Sequence, residues 1–238
     1  MTQTFDYNKK QAKAAVHALY DHHKSRESGD LLADEEPPLY VQIVTKEMFV
    51  PKRQSAGGKK IKAKHALYPS DTSICVFVKS DAEDIQKELA NGGFKNLQVI
   101  DKSTLEGSYS TFEARRRLAN AHDCFFVDDR IVSFMPKLLG KPFLEKVNKT
   151  PMPVNVASSA KINQMNTALR VQSYRPKGGV INLLRVGHLG LSEKEMLENL
   201  DAIVKEYLRV SNTKSEAIQE LSLKLAKSPA LPFYNSLP

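Results

Sequence analysis

The chain has 238 residues, with 35 Lys and Arg against 27 Asp and Glu for a net charge of +8, and 41% of its residues are hydrophobic. That length suits two domains of ordinary size, and no apolar run approaches the ~20 residues of a membrane-spanning helix. The amino-terminal Met-Thr-Gln-Thr-Phe-Asp-Tyr lacks the apolar core of a secretory signal, so a cytosolic or nuclear protein is expected.

In chain order, Ala12, Ala15, Val16, Leu19, Tyr20 and His23 share one side of an amphipathic helix. Residues 40–45 alternate loosely, and Ile61-Lys62-Ala63-Lys64-His65 alternates strictly, as antiparallel strands with one wet face do. The pattern then changes. Ile74-Cys75-Val76-Phe77-Val78 and Leu97-Gln98-Val99-Ile100 are short β-branched runs, and Cys124-Phe125-Phe126-Val127 between polar flanks reads as a strand buried on both faces. Cys75 and Cys124 both fall in these runs, which suits core packing better than a disulfide or redox pair.

A helix from about residue 109 leads into the third of these strands, and a second helix follows it. Ile131, Phe134, Met135, Leu138 and Leu139 keep the spacing of one helical face until Gly140 stops it, and Asp129 reads as its N-cap. Strand and helix therefore alternate three times between residues 71 and 150, the pattern of a small parallel α/β layer domain. A Gly/Pro-punctuated exit returns to loose alternation in 180–186. Next comes an amphipathic helix with Met196, Leu200, Ile203, Val204 and Tyr207, opened by a Ser192/Glu195 capping box, and then strict alternation in Leu221-Ser222-Leu223-Lys224-Leu225. The outer stretches, 1–70 and 151–238, are thus expected to form one split α+β domain, with an α/β domain inserted at 71–150.

Charge follows the same division. Residues 71–150 hold 12 basic and 12 acidic side chains, while 1–70 and 151–238 each have four more basic than acidic ones. Residues 48–69 carry Lys52, Arg53, Lys59, Lys60, Lys62 and Lys64 without an acid, and residues 161–185 carry Lys161, Arg170, Arg175, Lys177 and Arg185, again without one. With an isoelectric point of about 9.3, these segments point to a polyanion partner. Each cluster alone could be a solvated surface, but solubilising charge has no reason to avoid one domain. The basic residues lie on loops and strands and not along one helix face, which disfavours a membrane.

Catalytic constellations are weak. Gly57-Gly58-Lys59-Lys60 lacks the spacing and strand-loop-helix setting of a P-loop. Asp128-Asp129 ends a strand where open α/β sheets place active sites, yet no His, Ser or Lys set accompanies it. His22 and His23 are adjacent on a helix, and His65, His122 and His188 show no ligand spacing. Arg115-Arg116-Arg117 reads as the wet face of its helix. No enzyme, cofactor, metal or small-molecule substrate is expected.

The stretch 109–156, Ala66-Leu67-Tyr68-Pro69 leading into a buried strand, and Arg185-Val186-Gly187-His188-Leu189-Gly190 before a capped helix together resemble the large-subunit ribosomal protein L-one superfamily. Residues 109–139 and Ser228-Pro229-Ala230-Leu231-Pro232-Phe233-Tyr234 are more narrowly similar to eukaryotic nucleolar proteins with a ribosomal L-one domain, which assist ribosome assembly. The resemblance implies a two-domain fold: a split α+β domain that binds RNA and an inserted three-layer, Rossmann-like α/β domain, with hinges near 69–72 and 150–153. Ribosomal members carry an aromatic residue ahead of the first strand and a Thr-Met-Gly element near the carboxyl end. This chain has Glu35-Glu36-Pro37-Pro38 and Ser228-Pro229-Ala230-Leu231 there, which disfavours a stalk protein of the mature ribosome.

The resemblance implies a non-enzymatic rRNA-binding assembly factor of the nucleus and nucleolus. It would sit as a monomer within a pre-ribosomal particle, among pre-ribosomal RNA and other assembly factors, and most resembles factors on large-subunit precursors near the second internal transcribed spacer. A small-subunit processome component and a protein-docking scaffold without RNA binding are the alternatives. The expected RNA contacts are Lys52, Arg53, Lys59, Lys60, Lys62, Lys64, Arg175, Lys177 and Arg185. On a strand over 61–67, Lys62 and Lys64 would share one face, and the Gly-rich loop 55–60 would clamp phosphate. Tyr40, Phe49 and Tyr68 could stack on bases or pack in the core.

Overall fold

A computed structural model describes residues 5, 7–27, 36–49, 58–175 and 179–236. Lys52, Arg53, Lys177 and residues 55–57 of the expected clamp lie outside the described residues. The elements run α1 (Lys9–Glu27), β1 (Pro38–Phe49), β2 (Lys59–Lys62), β3 (Ile74–Val78), α2 (Ala82–Asn91), β4 (Leu97–Asp101), α3 (Lys102–Ser108), α4 (Phe112–Ala121), β5 (Cys124–Asp128) and α5 (Met135–Leu139). They continue as α6 (Lys141–Leu144), β6 (Met152–Val154), α7 (Lys161–Ala168), β7 (Val171–Tyr174), β8 (Gly179–His188), α8 (Glu193–Ser211), β9 (Ile218–Leu225) and β10 (Leu231–Asn235). The chain divides into two compact units, residues 1–69 with 170–238, and residues 70–169.

The split unit is built on an antiparallel sheet of order β10-β9-β1-β8. Alternation sends Leu39, Val41 and Ile43 of β1, Leu184 and Val186 of β8, and Leu221, Leu223 and Leu225 of β9 to one face, all buried. That face packs against Ala12, Val16 and Leu19 of α1 and Met196, Leu200, Ile203, Val204 and Tyr207 of α8 in one core. Ser192 and Glu195 form the reciprocal capping box at the start of α8. Tyr20 of α1 donates its hydroxyl to the carbonyls of Leu189 (2.7 Å) and Leu191, and burial pushes its pKa up to about 12.

β2 and β7 form a separate two-stranded antiparallel ribbon. Gly58 enters it with φ +65°, and a Cβ there would approach the Tyr174 carbonyl oxygen to 3.1 Å, so only glycine fits without strain. The ribbon is tied down by two buried amides. Asn199 of α8 accepts from the N–H groups of Lys64 (3.0 Å) and His65 (2.8 Å) and donates to the Val186 carbonyl (2.9 Å). Gln172 of β7 accepts from the Arg185 N–H (3.0 Å) and donates to the Arg185 carbonyl (2.8 Å), in the way a paired strand would.

The inserted unit is a parallel sheet of order β4-β3-β5-β6. β3 and β5 are buried along their whole length, as expected of strands covered on both faces. Cys75, Phe77, Phe125 and Val127 pack against Leu105, Leu118, Met135, Leu139 and Phe143 in a core separate from that of the split unit. Ile74, Val76, Val78 and Phe126 face the other way and are equally buried; on the edges, α2 contacts β4 and α7 contacts β6.

Several expectations need correction. The second boundary, expected at 150, falls at 169/170. Met152–Val154 pairs as a fourth parallel strand with β5, Lys161 forms an ion pair with Glu88, and Ile162 lies against Gly92, so the hinge expected at 150–153 is instead part of the insert. With 13 basic and 12 acidic residues over 70–169, the insert carries +1 and the split unit the remaining +7 of +8. The helix expected through 131–139 is a 3-10 turn, Asp129–Phe134, followed by α5. Pro136 has no N–H for a continuous α-helical ladder. The cap of that turn is Asp128, not Asp129: its buried carboxylate accepts from the Arg130 N–H at 3.3 Å and pairs with the Arg130 guanidinium at 3.2 Å. The strand expected over 61–67 spans only Lys59–Lys62; the Ala63 N–H still bonds the Arg170 carbonyl at 2.8 Å, but Asn199 captures the N–H groups of Lys64 and His65 and turns the chain out of the ribbon.

Candidate nucleic-acid interface

β2 alternates cleanly. Ile61 is fully buried opposite Gln172, while Lys60 and Lys62 point outward opposite Ser173 and Val171. The outward pair is therefore Lys60 with Lys62, and not Lys62 with Lys64. Lys64 lies in the bend beyond the strand, 3.7 Å from Glu198. The Glu198 carboxyl is held below its ordinary pKa chiefly by its hydrogen bond with His65. Lys59 turns to the other face and donates to the Val210 carbonyl near the end of α8, where a cation complements the helix dipole. Arg175 follows β7 and is half-buried.

Arg185 lies on the outer face of the four-stranded sheet. Its guanidinium sits 4.2 Å from the centre of the Tyr68 ring, a cation–π geometry, and its Nε is buried without a hydrogen-bond partner. The register sets Arg185 opposite Tyr40, and Tyr40 opposite Lys224. Directly opposed residues share a face, so Lys224, Tyr40, Arg185 and Tyr68 form a row across the end of the sheet. A bulge between Leu39 and Tyr40 brings His188 opposite Pro38 at the next position, where its Nδ1 lies 2.8 Å from Glu36.

Among the described residues, Lys60, Lys62 and Arg185 form no ion pair, whereas Lys59 and Lys64 are engaged within the fold. Lys224 was missed from the sequence: alternation put it on a wet face, but the register that sets it beside Tyr40 could not be read. Arg116 and Arg117 of the insert both pair with Glu113 at 3.0 and 3.2 Å, as a solvated helix face does. A cavity of about 510 Å³ lies between the end of β1 and the α8–β9 link; among the described residues its lining, which includes Thr45, Lys46, Glu47, Asn212 and Lys214, has no His or Cys. Among the described residues no three His, Cys, Asp or Glu side chains are placed to hold a metal ion.

A split α+β unit with a parallel α/β unit inserted between β2 and β7 defines the ribosomal L1 type of fold. The chain belongs to the ribosomal protein L1p/L10e family, whose profile matches residues 12–229. It is 26% identical over 217 residues to a Schizosaccharomyces pombe protein provisionally named as a ribosome biogenesis protein, covering 87% of this chain and 57% of the relative. It is 24% identical over 251 residues to ribosomal L1 domain-containing protein 1 of Mus musculus, covering 99% and 53%. Against large ribosomal subunit protein uL1 of Drosophila melanogaster the identity is 22% over 188 residues, covering 78% and 82%. The chain thus spans little more than half the length of the first two relatives.

Proposed function

We propose that this chain is a non-enzymatic ribosome assembly factor that binds pre-ribosomal RNA through its split unit, in the nucleolus, on large-subunit precursors near the second internal transcribed spacer. The observation that carries this reading is a set of cations without carboxylate partners among the described residues, the exposed Lys60 and Lys62 and the half-buried Arg185, on the unit that holds +7 of the net charge. Such cations neutralise phosphates and release counterions, which drives RNA binding without any catalytic group. The name of the fission yeast relative, a ribosome biogenesis protein, agrees with an assembly role. Crosslinking the tagged protein to RNA in cells and sequencing the recovered fragments tests it. Reads concentrated on the large-subunit precursor beside that spacer are expected; reads on the small-subunit precursor would reassign the particle, and no enrichment of precursor RNA would leave a protein-docking scaffold.

A further inference from the structure

The outer face of the four-stranded sheet exposes large apolar side chains along β8, while Ser222 of β9 on the same face is fully buried. Ile181 and Leu183 of β8 are 62% and 49% exposed, opposite Val44 and Gln42 of β1. With the Tyr40 row these make three successive rows on one face, about 13 Å along the strand and two strand spacings, roughly 10 Å, across. Cations bound the first row on either side of Tyr40: Lys224 on β9 and Arg185 on β8. Glu220 is the carboxylate of the third row, opposite Val44. Tyr68 leans on the core, whereas Tyr40 makes no ring contact among the described residues.

Resting on the RNA-binding reading, we propose that this face seats unpaired RNA, with bases lying on Tyr40, Leu183 and Ile181 and the flanking phosphates held by Arg185 and Lys224. A duplex turns phosphates and 2′-hydroxyls outward and gains nothing from exposed leucine and isoleucine. Unpaired bases present apolar faces that stack on aromatic and apolar side chains. Gln42, between Leu183 and Ser222 in the middle row, is placed to hydrogen-bond a base edge. The two cations favour RNA over a protein segment, since each nucleotide brings its own phosphate.

The test measures binding of a labelled, roughly 12-nucleotide unpaired RNA and of the same strand annealed to its complement. The wild-type chain is expected to bind the unpaired strand more tightly. Tyr40→Ala is expected to lose on the order of tenfold for that strand, with its melting curve confirming the fold. Leu183→Lys separates stacking from charge at an exposed position. It adds a cation, so it tightens binding if only phosphates are held there and weakens binding to the unpaired strand if a base lies on the leucine. Equal affinity for both RNAs, or tighter binding by Leu183→Lys, overturns the proposal. If Lys60→Ala with Lys62→Ala still weakens both complexes in that case, RNA binding itself stands; if neither RNA binds, both readings fall.

Discussion

Asn199 shows how much one buried side chain can fix. Its amide satisfies two N–H groups of the bend after β2 and the Val186 carbonyl at once, so Asn199→Leu strands one buried carbonyl and two part-buried N–H groups, at ~1–3 kcal/mol for each group that water does not reach. Urea unfolding of that variant is expected to show a loss on the order of 3 kcal/mol or more, with the ribbon the first part to lose amide protection. In the insert, burial holds the imidazole of His122 below its ordinary pKa, and the ring faces the Gln98 amide at 2.7 Å. The unfolded chain therefore binds a proton more readily than the folded one. Stability from this group is intact above the unfolded value of ~6.5 and is lost as pH falls through the lower folded value. The unfolding midpoint of the wild-type chain should accordingly drop more between pH 7.5 and 5.5 than that of His122→Gln. Parallel curves would show that His122 titrates alike in both states.

At the scale of elements, the most periodic segments were the most legible. α1, α8 with its capping box, β3, β5 and β9 follow from spacing alone, because burial of one face or both enforces the pattern. Ser192→Ala, which removes the hydroxyl that accepts the Glu195 N–H, is expected to lower stability by about 1 kcal/mol, measured by thermal melting. What could not be read has physical causes as well. β6 is three residues long with a proline at its centre, and α7, Lys-Ile-Asn-Gln-Met-Asn-Thr-Ala, is mostly polar. Neither carries a pattern that assigns it to the insert; pairing with β5 does so for β6, and packing on β6 does so for α7. Pro136 divided a helix whose apolar spacing looked continuous. Among site residues, alternation paired Lys62 with Lys64 and left Lys60 to the Gly-rich loop, whereas β2 takes in Lys60 and Lys64 is lost to a bend set by Asn199, 135 residues away. The row from Lys224 to Tyr40 to Arg185 depends on a register joining both ends of the chain.

At the scale of the molecule, two separate cores and an unequal division of charge distinguish the two units. Phe143 is fully buried against Phe77 and Phe125 in the insert, so Phe143→Ala should cost the insert ~3–5 kcal/mol while leaving RNA affinity at low temperature unchanged. A matching loss of affinity would mean that the insert contributes to the RNA contact. The most direct single measurement is the salt dependence of binding to a structured precursor-rRNA transcript. It compares the wild-type chain with a triple variant, Lys60→Ala, Lys62→Ala and Arg185→Ala, and with a double variant, Lys59→Ala and Lys64→Ala. If the outward cations hold phosphates, the log–log slope falls by ~2–3 in the triple variant, at ~0.7–0.9 per contact, and hardly changes in the double variant, whose lysines are already engaged. Equal slopes in all three proteins, or the larger loss in the double variant, would contradict the assignment of these cations to RNA.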